Sequence, residues 1–196
     1  MYKIEPIIVT GVGRSGTSVI AGILHHLGVY MGEEFIPANK SNLTGYWEDK
    51  EFIKLNAHLL EYQITIELWY KKISELVSKR QALGEKWGFK DPSITNLLNF
   101  YVQLFPNALY INCTRDKDEI IESLQRTYNW GIEQCLYFYD LRQVKLKHII
   151  PKNLLTIDLK ETQGNSKKIL DKIIKYCKIE VTDEQKLNAL NLVRRR

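Results

Sequence analysis

Cysteine is scarce in this chain: 196 residues carry three, Cys113, Cys135 and Cys177, far apart and without C-x-x-C or metal-ligand spacing. A sparse, odd set excludes a disulfide-stapled scaffold and a structural zinc site, and it fits reduced thiols in a cytosolic protein. Long apolar runs are missing as well. None approaches the ~20 residues of a membrane span. The N-terminus enters a strand-like segment at once, with no signal-peptide pattern. The expectation is a soluble, cytoplasmic protein with no membrane contact. Repeats, low-complexity tracts and an interdomain linker are also lacking, so residues 1–196 read as one domain. The net charge of +5 suits an anionic ligand. Its lysines are scattered over predicted helices, and the densest basic cluster is the terminal Arg194-Arg195-Arg196. A solvated basic surface explains that distribution, and no nucleic-acid partner is implied.

One further absence is more specific. Val9-Thr10-Gly11-Val12-Gly13-Arg14-Ser15-Gly16-Thr17-Ser18 follows an apolar run and precedes a segment with Ile20, Ile23, Leu24 and Leu27 at helical spacing. The order is strand, glycine-rich turn, helix. Such a helix mouth offers amide N–H groups and a positive dipole end to an oxyanion. The glycine spacing is that of the phosphate-binding loop G-x-x-x-x-G-K-[ST], yet Thr17 stands at the lysine position and the nearest cation is Arg14, inside the loop.

The rest alternates between strands and helices. A helix is expected over residues 17–27, ending at Gly28, with Gly22 packed closely against a strand. Residues 29–44 form a loop delivering Gly45-Tyr46-Trp47-Glu48-Asp49, and loops of that length are frequently functional. Helices follow over 51–60 and 64–83. Residues 87–90 form a short strand ending on Lys90, with Asp91 as N-cap and Pro92 at the first position of the next helix. A strand over 108–114 leads into Arg115-Asp116 and a helix over 118–126. A helix over 131–149 precedes a strand over 154–159. Helices around 166–176 and after the Thr182–Gln185 capping box complete the chain. The expected fold class is α/β: a three-layer, P-loop-type fold with a central, mainly parallel sheet and helices on both faces. Lys90 and Arg115 then project from carboxyl ends of strands, where ligands bind in open α/β sheets.

Four segments together resemble the sulfotransferase family that uses 3′-phosphoadenosine 5′-phosphosulfate (PAPS), in its small bacterial or viral form. The loop over residues 11–18 is similar to the 5′-phosphosulfate motif, and Gly45-Tyr46-Trp47-Glu48-Asp49-Lys50-Glu51-Phe52 to a G-Y-[FW]-E-D-x-E-[FI] stretch. Trp87-Gly88-Phe89-Lys90-Asp91-Pro92 matches a W-G-F-K-D-P segment. Arg115-Asp116 with Ser123 has the form of the 3′-phosphate motif. These pieces span about the first two-thirds of the chain.

The resemblance implies that Gly13, Arg14, Ser15, Gly16, Thr17 and Ser18 bind the 5′ side of PAPS. Arg115 and Ser123 hold the 3′-phosphate, where an arginine fork suits a dianion. It also implies that Arg14 and Lys90 stabilise the transferring group, without a metal. Glu48 is the first choice for general base, with Glu33, Glu34 and Asp49 open. The acceptor is expected to be a small molecule or carbohydrate. Tyr46, Trp47, Tyr62, Trp69, Tyr70, Tyr128 and Trp130 are either cleft walls or ordinary packing. No clear R-K-G-x-x-G-x-W-K cofactor loop of the cytosolic animal enzymes occurs near the C-terminus. Two other readings stand beside this one: a P-loop kinase or ATPase using Mg-ATP, and a non-catalytic anion-binding module. Residue-level alternatives also stand, including a strand-end ion pair of Arg115 with Asp116 or Asp118 and a structural pair between Lys90 and Asp91.

Overall fold

The computed structural model describes residues 4–194, so Arg195 and Arg196 of the basic tail lie outside the described residues. The elements run β1 (Ile7–Gly11), α1 (Thr17–His26), α2 (Lys50–Leu60), α3 (Ile66–Ala82), β2 (Gly88–Lys90), α4 (Ile94–Leu104) and β3 (Leu109–Thr114). They continue with α5 (Lys117–Tyr128), α6 (Ile132–His148), β4 (Leu154–Asp158), α7 (Leu159–Gly164), α8 (Ser166–Cys177) and α9 (Asp183–Arg194). Among the described residues the four strands form one sheet in the order β2-β1-β3-β4, every pair parallel.

Side-chain alternation divides the core between the two faces of that sheet. Ile7 and Val9 of β1 and Ile111 and Cys113 of β3 point into a cluster with α1, α8 and α9. Ile8 and Tyr110 point the other way, into a cluster built from α2, α3 and α4. A third cluster joins Val12 to α5 and α6. Both faces of the sheet are covered, which is why β1 is apolar at successive positions rather than alternating. The expected three-layer α/β architecture is the observed one. Among the described residues no helix is long and apolar enough to cross a membrane.

Helix starts follow local chemistry. Asp49 caps α2, Thr65 caps α3 and Asp116 caps α5, each accepting a backbone N–H of the first turn. The Thr182–Gln185 capping box forms in both directions, at 2.8 and 3.2 Å.

Three expectations need correction. Asp91 is not an N-cap: α4 begins three residues later, and Asp91 instead closes a side-chain turn by accepting from Ser93 N (2.7 Å) and Ser93 Oγ (2.6 Å). The turn Asp91-Pro92-Ser93 is thereby complete before any helix begins. The expected strand over 154–159 ends at Asp158, and Leu159 opens the six-residue α7, capped by Asp158. It is too short to show an apolar period. Gly22 packs against no strand. It faces Trp47 and Leu192, where a β-carbon would lie 2.7 Å from Trp47 Nε1 and 2.5 Å from Leu192 Cδ2.

That contact gives a stability prediction. Gly22→Ala gains about 1 kcal/mol of helix propensity but overpacks the α1–α9 contact, at about 1–3 kcal/mol. The expected outcome in urea denaturation is a net loss of stability. A midpoint equal to or above that of the parent would show that the contact relaxes freely.

Candidate functional site

The glycine-rich loop joins β1 to α1 and is shaped by steric necessity. Gly11 has φ of 145°, and a β-carbon there would lie 2.6 Å from the Cys113 carbonyl. Still paired with Cys113 of β3, the chain runs hard against that strand as it turns, which only glycine permits. Ser15 N–H closes the turn on the Val12 carbonyl at 3.1 Å, and the Ser15 side chain is buried beneath the loop. The Thr17 and Ser18 N–H groups precede any intrahelical acceptor at the helix mouth, whereas Val19 N–H already bonds the Gly16 carbonyl at 2.9 Å. Of the expected loop ligands, Gly13, Arg14, Gly16, Thr17 and Ser18 line a cleft of about 450 Å³. Ser15 does not: its N–H is spent within the turn.

Arg14 is held in the left-handed region, φ 74°, a conformation that costs a non-glycine residue roughly 1–3 kcal/mol. Its side chain explains how it stays there. Nε donates to Ser123 Oγ at 3.0 Å and a terminal nitrogen donates to the Ser41 carbonyl at 3.0 Å. Ser123 is 2% exposed on α5, and Arg115 leaves β3 toward the same corner, donating to the Arg14 carbonyl at 3.3 Å. The other side of the Arg115 fork engages Glu119 at 2.8 Å, one turn along α5, and Glu119 also meets Lys160 at 3.2 Å. The strand-end ion pair of Arg115 is thus with Glu119, not with Asp116 or Asp118.

Lys90 ends β2, beside β1 in register with Val9, so its side chain emerges next to the loop. It is 1% exposed and donates to Ser18 Oγ at 3.3 Å and to Glu48 in a close ion pair. Burial pushes the Lys90 ammonium down from its ordinary range, opposed by Glu48 and then by Asp91. Burial likewise pushes the Glu48 carboxyl up, with Lys90 opposing. Desolvation dominates both groups, a charge pair buried in the wall of the cleft.

Glu48 reaches Lys90 because the segment around it is pinned on both sides. Trp47, at φ 55°, turns away from the cleft and packs with His25, His26 and Phe35. Tyr46 faces the cleft, its ring 6.0 Å from the Lys90 ammonium. Asp49 points inward: it is 1% exposed, caps α2 and pairs with Arg80 of α3 at 2.8 Å. Arg80 also meets Glu51 at 2.6 Å and Tyr30 OH at 3.2 Å. The structure therefore separates the carboxylates that the sequence left open. Glu48 lines the cleft, Asp49 is committed to Arg80, Glu34 pairs with Lys50 at an exposed position, and Glu33 does not line the cleft.

Four cations (Arg14, Lys40, Lys90 and Arg115) and one carboxylate (Glu48) line the cleft. That excess, added to the helix mouth, favours a ligand with several negative charges. Ile36, Leu43, Tyr46, Pro92, Tyr128, Phe138 and Leu159 supply apolar wall. Tyr46 and Tyr128 are the proposed aromatic residues that reach it, whereas Trp69 is wholly buried and Tyr62 is 95% exposed. Sequence reasoning missed Asn42, whose side-chain nitrogen donates to Ser18 Oγ at 3.3 Å and to the Gly45 carbonyl at 2.6 Å. It also missed Lys40 and Ser41. The one signal was the length of the loop that carries them.

With this geometry established, comparison with known proteins is informative. A family model described as "Sulfotransferase family" matches residues 6–183. A search of the curated proteins finds no match. Among solved structures, a sulfotransferase from Mycobacterium tuberculosis superimposes with a TM-score of 0.62 at 15% identity, covering 95% of this chain and 70% of that one. The sulfotransferase domain of the Synechococcus olefin synthase gives 0.62 at 18% identity, covering 93% and 77%. A mouse sulfotransferase complexed with PAP gives 0.55 at 15% identity, covering 96% and 63%. At these identities the superpositions show a shared fold.

The Asp49–Arg80 pair yields a prediction. Arg80→Ala leaves a buried carboxylate without its cation and is expected to cost about 3–5 kcal/mol at neutral pH. Burial already raises the Asp49 carboxyl, and losing Arg80 raises it further. The folded variant then binds that proton more tightly than the unfolded chain. Its deficit should shrink as pH falls toward the ordinary carboxylate range and grow as pH rises above it. Urea titrations at pH 7 and pH 4.5 check this. A deficit independent of pH would assign the loss to packing instead.

Proposed function

Because the chain belongs to the sulfotransferase family, we propose that it transfers a sulfuryl group from PAPS to a hydroxyl or amine of a small-molecule or carbohydrate acceptor, by metal-free in-line displacement. The observation that carries this reading is the distribution of cations around the cleft. A nucleotide triphosphatase keeps its phosphate lysine on the loop. Here the loop carries Arg14, the lysine arrives from the neighbouring strand as Lys90, and Arg115 brings a further cation to the cleft beside Arg14, while Ser123 lies buried behind them as the acceptor of Arg14 Nε.

The chemistry assigns each group a task. The N-terminal amides of α1 and the Thr17 and Ser18 hydroxyls receive the 5′-phosphate. Arg115 and Ser123 receive the 3′-phosphate, the feature that separates this donor from ATP. Arg14 and Lys90 meet charge developing on the sulfuryl oxygens and on the leaving phosphate oxygen. The acceptor heteroatom forms its bond to sulfur as the bond from sulfur to the bridging phosphate oxygen breaks, and the electron pair stays on that oxygen. Glu48 takes the acceptor proton. Its carboxyl is raised by burial, which makes it a stronger base than a solvated carboxylate. Catalysis here is largely positioning and charge stabilisation, by analogy with phosphoryl transfer.

Calorimetry with 3′-phosphoadenosine 5′-phosphate (PAP), in the presence of EDTA, tests the donor site directly. The expected result is saturable binding that Arg115→Ala weakens by about 100-fold, the worth of a bidentate charged pair near 3 kcal/mol. Binding of magnesium-ATP with no response to PAP would overturn the proposal in favour of a kinase.

Turnover separates the enzyme from an anion-binding module. With an accepted substrate, Glu48→Gln should leave PAP affinity within a few-fold and lower kcat by about 100-fold or more. An unchanged kcat would remove Glu48 from the role of base.

A further inference from the structure

The long segment between α1 and α2 sends one side chain down onto the glycine loop. Residues 39–45 form a tight, self-braced turn. The Asn39 and Asn42 backbones pair in both directions, at 3.1 and 3.0 Å. The Asn39 side-chain oxygen accepts from Ser41 N–H, Asn42 N–H and Tyr46 OH. Asn42 is 8% exposed within this turn and lines the cleft. A carbonyl can only accept, so its 2.6 Å contact with the Gly45 carbonyl dictates the amide orientation. The nitrogen faces Gly45, and the oxygen accepts from Thr44 Oγ1 at 3.3 Å. The second N–H of that nitrogen goes to Ser18 Oγ at 3.3 Å.

Ser18 Oγ thus receives two groups that can only donate. Asn42 Nδ2 reaches it from the long segment, and Lys90 Nζ reaches it from β2 at 3.3 Å. A hydroxyl has two lone pairs and one proton. With both lone pairs engaged, only the proton is left for a further partner. Among the described residues no oxygen accepts that proton, and Ser18, the second residue of α1, lines the cleft. A serine hydroxyl ordinarily turns to suit whatever meets it. This one is committed in advance to donating, beside the Thr17 and Ser18 amides at the helix mouth.

We propose that Asn42 is a positioning residue of the donor site: it holds the Ser18 hydroxyl as an obligate donor toward a bound oxyanion. It acts through Ser18 and not by touching the ligand. Lys90 alone does not fix the hydroxyl, because one lone pair would stay open and the proton could turn away from the cleft. Asn42 fills that second position from an amide whose own orientation is already set by Gly45 and Thr44. Groups arranged to donate before the ligand arrives need no reorganisation when it binds, which suits an oxyanion carrying no proton of its own. The inference rests on the donor-site reading for the identity of the anion; the fixing of the hydroxyl does not.

The test is a double-mutant cycle on oxyanion affinity, read by calorimetry of the full chain with PAP and separately with inorganic pyrophosphate. Ser18→Ala removes the donor and is expected to weaken binding about 10-fold, as for one hydrogen bond to a charged group. Asn42→Ala is expected to weaken binding about 3- to 10-fold in the parent, and by less than about 2-fold in the Ser18→Ala background. If Asn42 only held its turn in place, its loss would cost the same in both backgrounds. That result overturns the proposal, as does parental affinity in a folded Asn42→Ala protein. If Asn42→Ala fails to fold, the same cycle with Asn42→Ser decides on the same two criteria. Pyrophosphate binding without PAP binding would sink the donor-site reading and leave the cycle to be decided on pyrophosphate. A parent protein that binds neither anion overturns both.

Discussion

Parallel pairing of short strands is the constraint on which this site depends. Each strand of a parallel sheet must end at the same edge, so whatever follows a strand is delivered to one line. The register sets Val9 beside Lys90, Gly11 beside Cys113 and Thr114 beside Asp158. The glycine loop, Lys90, Arg115 and the start of α7 therefore converge, though they come from sequence positions far apart. Backbone hydrogen bonds position the cleft, and its side chains inherit that position.

The second requirement is that the long segment between α1 and α2 fold down onto this edge. It has little regular structure and is fastened by a few specific contacts. Trp47 packs among His25, His26 and Phe35 on one side, and Asp49 is drawn to Arg80 on the other. Glu48 lies between those two anchors, which is how a loop residue meets a lysine with little slack. Arg14 fastens the same segment from the loop side by donating to the Ser41 carbonyl. The cleft is thus closed around by contacts each of which buries a polar or charged group, and burial is the largest influence on the ionisation of Glu48, Asp49, Lys90 and Asp91 alike.

Much of this was legible in the sequence, for local reasons. Apolar runs ending in Gly11, Lys90 and Thr114 marked strands, and the glycine spacing with a displaced cation marked an anion loop. The Thr182–Gln185 box was visible because its chemistry lies within four residues. What escaped was set by contacts between distant segments. Arg14 and Ser123 are 109 residues apart, and no local pattern shows that one donates to the other. Asp49 and Glu48 are adjacent and chemically alike, yet one is consumed by Arg80 and the other faces the cleft. Adjacent residues on extended backbone point to opposite sides, and the backbone at Asp49 is extended. Gly22 was correctly singled out as a close-packing position but given the wrong neighbour, since helix periodicity indicates a face and not what covers it. Asp91 has the composition of an N-cap, and its carboxylate was claimed instead by Ser93 and Asn56.

The Glu48–Lys90 pair also bears on how the proposed reaction is ordered. A lysine buried without a partner would release its proton, and a buried glutamate alone would hold one. Paired, each opposes the effect of burial on the other, and their charges offset one another in the cleft wall. An incoming polyanion changes that balance, because it offers Lys90 a stronger partner and repels Glu48. In the proposed reaction the carboxylate would then lose its cation and, still buried, become more basic than before. Binding of the donor would in this way generate the base that the transfer needs. A cleft that held Glu48 free from the outset would instead repel the donor's phosphates.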